Sequence, residues 1–344
     1  MKRSKSSKNQ SNKRPRRSLR IGQQQCGPFW TENTNDTPTE SSNQLDTSSI
    51  PDWLNIPFLV WDHQLIKFLG LKQIAIMRGV NRFFEPCWVR RFKLNLLPLR
   101  VPYDIGTLDR AMRVMEILID RKPYSKENPL VVELDKGEHQ ITSSWTDPEY
   151  INIIRTTTLS ITRNNITFVG RGIDQTTILG GFAIENFKNI TFKQMTVTNT
   201  SSSCRGIRMD NAKVELTNVA LKGCEGFALS MNASNSVTTL VAKNCEFANS
   251  ICGAVSAGRF TSAKFNNCVF HDNSGQGLQA EGEATIHLHG EATAIHSNGS
   301  QGILAMTSSK ILLHLPSHHK TSYNNDYGMD RITVTGATIT NVED

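Results

Sequence analysis

The chain has no apolar run long enough for a secretory leader or a membrane span. Its seven cysteines are an odd number, and none sits in a Cys-x-x-Cys pair, so reduced thiols in cytosol or nucleus are expected. Sequons such as Asn189-Ile190-Thr191 then carry no meaning. Residues 160–315 hold no 3.6-residue period over three turns and too few leucines for a leucine-rich frame, which excludes the helical repeats and the leucine-rich repeat. Acid is missing from residues 1–20, which carry nine Lys or Arg. The formal net charge of +7 therefore belongs to that arm, and the rest of the chain is near −2.

What is present is a period. Asn-Ile-Thr-Phe occurs at 165–168 and again at 189–192. Ile190, Val214, Leu240, Ala263, Leu288 and Leu313 form one ladder, with steps of 24, 26, 23, 25 and 25 residues. Phe192, Leu216, Ala242 and Phe265 form a second, and Val197, Leu221, Phe247, Phe270 and Ile295 a third. A glycine then precedes an apolar or small residue in each repeat: Gly206-Ile207, Gly226-Phe227, Gly253-Ala254, Gly277-Leu278 and Gly302-Ile303. Within a repeat, polar and apolar residues alternate, as in Ile286-His287-Leu288-His289, which is the pattern of a half-buried strand. Short strands at a fixed period near 24, separated by Asn, Ser and Gly, imply coils stacked into a β-solenoid. One coil cannot cover its own apolar side, but stacked coils bury a continuous column. Asn218, Asn244 and Asn267 align one residue before the column Val219, Cys245, Cys268; they form either an amide ladder or ordinary loop asparagines. Phe265 is expected to fill space left by Ala263.

Over roughly residues 100–340 this pattern resembles the right-handed parallel β-helix of the pectate-lyase-like superfamily. Thr107 to Arg121 reads as an amphipathic helix, with Leu108, Ala111, Met112, Met115, Leu118 and Ile119 on one side. In that superfamily such a helix caps the open end of the solenoid. Val131-Val132-Glu133-Leu134 reads as a strand, and Asn165 to Gly172 is similar to the family's first full coil. Beyond Leu313 the period is lost, and Ile332-Thr333-Val334 begins a last strand.

Residues 56–97 have apolar positions at helical spacing in short blocks broken near Gly70 and Gly79. Ile56-Pro57, Leu65-Ile66-Lys67-Phe68-Leu69-Gly70-Leu71-Lys72-Gln73-Ile74, Arg78-Gly79-Val80-Asn81-Arg82-Phe83-Phe84 and Trp88 follow one another in an order that resembles an F-box. Phe58-Leu59 stands where that family has an acidic residue. The resemblance implies docking on a Skp-type adaptor of a cullin–RING ubiquitin ligase through Ile56, Pro57, Leu65, Ile66, Leu69, Leu71, Ile74 and Val80. The other reading of this segment is a helical cap that closes the solenoid.

The expected organisation is a disordered basic tail (1–50), an F-box-like helical domain (51–98) and a β-helix with its cap helix (99–344), mainly β overall. In the tail, Lys13-Arg14-Pro15-Arg16-Arg17 with Lys2-Arg3 upstream resembles a bipartite nuclear import signal; the alternative is a solvated basic arm. No aromatics interleave with these charges, so specific nucleic-acid binding is not expected.

Enzymatic readings need convergent groups. Asp210 and Glu281 share a column but lie three coils apart, and Glu225, Glu246 and Asp272 show no convergence. Val60-Trp61-Asp62-His63 is similar to a lyase motif but precedes the solenoid. His289 and His314 are in register with His287 nearby, and His318 and His319 follow; a solvent-facing pair is expected rather than a metal site. Arg205, Arg208 and Asp210 are expected as turn-side charges on a binding face. The sequence thus points to a non-enzymatic ubiquitin-ligase receptor without cofactor, metal or membrane contact. A carbohydrate-active β-helix and a non-ligase scaffold are the alternatives.

Overall fold

The computed structural model describes residues 98–118, 124–147, 153–314, 321–326 and 329–342. The F-box-like segment, the basic tail and His318 and His319 lie outside these residues. Strands dominate the described part, and among its residues the one helix is Leu108–Leu118. Thr107 caps that helix, its Oγ1 accepting the Arg110 N–H at 3.2 Å. Leu108, Ala111 and Met112 join the same core as Leu99 and Val132. The buried Asp109 carboxylate accepts the backbone N–H groups of Thr142 and Ser143.

The strands stack in parallel through about seven turns. One face runs from Leu99–Val101 through Leu130–Leu134, Ile166–Val169 and Ile190–Thr198 to Lys310–His314 and Thr338–Asn341. The stack therefore begins before the coil at Ile166. A second run of short strands, including Glu246–Ala248, Val269–His271, Ala294–His296 and Ser322–Tyr323, branches from the same sheet. The third face is an eight-stranded sheet from Thr158–Ile161 to Arg331–Val334. Arg331–Val334 pairs with Ile303–Met306, so the strand expected at Ile332 is present, and Thr338–Asn341 follows it.

The third ladder holds as read: Val197, Leu221, Phe247, Phe270 and Ile295 are consecutive partners. Phe247 and Phe270 stack at 5.0 Å, with Phe265 edge-on to both. The first ladder needs a correction. Ala263 pairs with Ile286, and Ile286 with Ile311. Leu288 and Leu313 instead continue the second ladder, above Phe265. The slip is two residues, so both candidates point inward and alternation cannot separate them. The extra two residues sit in the turn around Gly290, after Leu288 rather than before it: seven positions separate Leu288 from Ile295, against five from Phe265 to Phe270.

The glycine column is also corrected. Ile207, Leu229, Val255, Leu278 and Ile303 are in register, so the small column is Gly206, Ala228, Ala254, Gly277 and Gly302. Gly253 belongs elsewhere, opposite Phe227. It has φ +140, and a Cβ there would lie 2.6 Å from the Gln276 carbonyl oxygen, so neither the backbone nor the space admits a side chain.

Asn218, Asn244 and Asn267 all adopt positive φ, 52° each. Their side chains tolerate the left-handed region that this corner requires. Asn244 Nδ2 donates to Asn218 Oδ1 at 3.2 Å, so the first step of the expected amide ladder forms. A second, buried ladder was not anticipated. Asn273 Nδ2 donates to Asn298 Oδ1 and Asn298 Nδ2 to Asn325 Oδ1, each at 2.9 Å. The same oxygens accept the backbone N–H groups of Asn273 and Asn298. Buried turn donors are thereby satisfied without water.

Cys245 and Cys268 are buried in the expected interior column. The hydrogen bond between the thiols, together with burial, pushes Cys268 above the ordinary thiol range. Burial pushes Cys224 up to about 11. Cys224 and Cys268 therefore pack as small apolar groups and resist oxidation.

Urea unfolding of Phe270→Ala should show a loss of about 3–5 kcal/mol. Asn298→Ala orphans groups on the coils either side and should cost about 1–3 kcal/mol for each one left unpaired.

Candidate functional site

Arg205 lies in the turn before the strand at Ile207, as expected, but Arg208 and Asp210 are not turn-side charges. Arg208 and Asp210 belong to the strand Ile207–Asp210, and both are buried. The reason is an excursion of the chain. The antiparallel pair Trp145–Thr146 and Ile154–Arg155 brings Asp147, Arg155 and Trp145 onto this strand. The fully buried Asp147 carboxylate faces Arg208 at 3.4 Å, Arg155 at 3.4 Å and Arg205 at 3.8 Å. Arg208 also lies 5.3 Å from the Trp145 ring centroid. Guanidinium groups are weakly hydrated and planar, so three can share one carboxylate. The cluster fastens the excursion to the solenoid.

Asp210 and Glu281 do share a column three coils apart. The neighbour of Asp210 is Glu185, directly opposite on the preceding coil. Ser234 Oγ donates to both Asp210 oxygens, at 3.3 and 3.2 Å.

Glu246 and Asp272 converge, contrary to expectation, because His271 bridges them. His271 Nε2 lies 3.0 Å from Glu246 Oε1, and Nδ1 lies 2.6 Å from Asp272 Oδ2. Lys222 Nζ completes the line at 2.8 Å from Glu246. His271 stacks on His296 at 5.3 Å, and His296 on Tyr323 at 5.2 Å. Partial burial, then the charge of His271, lowers the pKa of His296. A histidine held between two carboxylates is an oriented acid–base group.

The remaining cluster is His287, His289 and His314. Alternation along Thr285–His289 sends Ile286 and Leu288 inward and both histidines outward. His314 is the register partner of His289. The rings of His289 and His314 stack at 4.2 Å, and His287 Nδ1 lies 3.0 Å from His314 Nε2. All three lie on the outer face and are half-buried. Partial burial lowers the pKa of His287, with smaller contributions from His314 and Lys264.

Asp147→Ala leaves three arginines without their shared carboxylate. It should cost about 3–5 kcal/mol in denaturant unfolding.

Ile56, Pro57, Leu65, Ile66, Leu69, Leu71, Ile74 and Val80, and Lys13 to Arg17, lie outside the described residues. No curated protein matches the chain. Among solved structures it is similar to Geobacillus virus E2 ORF18, at 10% identity and TM-score 0.44, covering 77% of this chain and 63% of that one. It is similar to pectate lyase Pel9A, at 11% identity and TM-score 0.40, covering 63% and 70%. It is also similar to the A-module of Azotobacter vinelandii mannuronan C-5 epimerase AlgE4, at 14% identity and TM-score 0.34, covering 70% and 88%. The chain thus spans less than two thirds of the viral protein's length. A family model described as a right handed beta helix region matches residues 149–326, just over half of the sequence. The chain belongs to the right-handed β-helix family.

Proposed function

We propose that this chain is a non-catalytic receptor subunit of a cullin–RING ubiquitin ligase. Its F-box-like segment, residues 51–98, docks on a Skp-type adaptor, and its β-helix presents a rigid outer surface to a protein substrate. The observation that carries this reading is the motif order Ile56-Pro57, Leu65 to Ile74, and Arg78 to Phe84, placed directly before the first solenoid strand at Leu99. Ile56, Pro57, Leu65, Ile66, Leu69, Leu71, Ile74 and Val80 act by apolar burial, each full-sized side chain contributing about 1.5–3 kcal/mol. A solenoid suits the second half of the task, because contacts spread over stacked coils are already ordered before binding. The basic stretch Lys13 to Arg17 supports residence in the nucleus as well as the cytoplasm.

A carbohydrate-active reading has one observation in its favour, the Glu246–His271–Asp272 line. It supplies an oriented imidazole on the outer surface.

Full-length protein should co-purify with a Skp-type adaptor. The triple variant Pro57→Asp, Leu69→Asp, Leu71→Asp should lose capture while its far-ultraviolet circular dichroism stays that of a β-solenoid. Failure of the wild type to capture the adaptor contradicts the receptor reading. Incubation with polygalacturonate, with and without calcium, should release no product; sustained release abolished by His271→Ala would establish the enzymatic reading instead.

A further inference from the structure

We propose that His287, His289 and His314 form a binding site for a late first-row divalent cation, with zinc the best fit, that clamps two adjacent coils. The inference is independent of the receptor reading. His287 and His289 are two residues apart on one strand, so both project from the same face. His314 stands beside His289 on the next coil. Each side chain offers a nitrogen, and the three ligand atoms lie within 4.8 Å of one another.

Zinc holds imidazoles at about 2.0–2.1 Å, so tetrahedral ligand nitrogens sit about 3.3 Å apart. The 3.0 Å pair formed by His287 and His314 is already at that scale. The remaining nitrogen separations, none above 4.8 Å, must each close by up to about 1.5 Å through ring rotation to match tetrahedral spacing. The rings of His289 and His314 now stack near-parallel, 11° apart. Half-buried rings on an outer face can turn out of this stacking without disturbing Ile286 or Leu288 below.

The donor chemistry sets the class of ion. Three neutral nitrogens suit zinc, copper and nickel, whereas calcium and magnesium need oxygen ligands. Three protein ligands leave a fourth position for water. The charged neighbour in register is Lys264, opposite His287, while Asn266 stands opposite His289. The Lys264 ammonium opposes a cation electrostatically and sets the affinity lower than three histidines alone would give.

Zinc titration of the full-length, reduced protein followed by calorimetry and thermal melting tests the site. One equivalent should bind and raise the melting temperature. His289→Ala with His314→Ala should weaken this binding by at least about tenfold, since perturbing even the partners of ligands costs that much. Glutamine at both positions keeps the bulk and serves if the alanine pair misfolds. His271→Ala with His296→Ala should bind as the wild type does, and Lys264→Ala should bind more tightly. Cobalt should give tetrahedral ligand-field bands without a thiolate charge-transfer band, separating the site from the cysteines. A wild type that takes up no zinc, or a double glutamine variant with undiminished affinity, overturns the proposal.

Discussion

A parallel strand constrains its neighbour twice, through the hydrogen bonds that set the rise and through the side chains that must share one inner face. The described part of this chain depends on that double constraint. Because Phe247 must lie on Phe270, every residue of those strands is also fixed relative to the coil above. The outer face inherits the order of the inner one. His289 meets His314 because Leu288 lies on Leu313. Glu185 meets Asp210 because Ile184 lies on Met209. The surface chemistry is therefore a projection of the core.

Variation is confined to corners, where each added residue must have its own hydrogen bonds. Two asparagine ladders meet this need differently. Asn218, Asn244 and Asn267 supply left-handed backbone at a corner. Asn273, Asn298 and Asn325 are buried and replace water as partners for turn amides. A longer corner, as around Gly290, leaves both flanking columns intact and only changes the count between them.

Periodic contacts were legible in the sequence, and aperiodic ones were not. The three-residue offset from Phe270 to Asn273 recurs from Ile295 to Asn298, so the buried ladder was readable in principle; it was missed because asparagine is common in loops. Leu288 was assigned to the wrong column because a shift of two preserves the facing of every side chain. The pairing of Asp147 with Arg208 gave no signal. The hairpin that joins them stands outside the repeat, and no period links residues on an excursion to residues on a rung. His271 lay between: Glu246 pairs with Val269, two residues before His271 on the next strand, but Asp272 sits at the corner that follows, and corner geometry is the part that spacing alone does not determine.

Cross-linking by paired cysteines tests the register most directly. Ser262 is the partner of Thr285, and adjacent strands lie about 4.8 Å apart, within disulfide reach. Ser262→Cys with Thr285→Cys should oxidise to an intramolecular disulfide in the folded protein. Ser262→Cys with His287→Cys, offset by two residues to about 8 Å, should not. Efficient bridging of the second pair and none of the first would contradict the stacking on which the outer face depends.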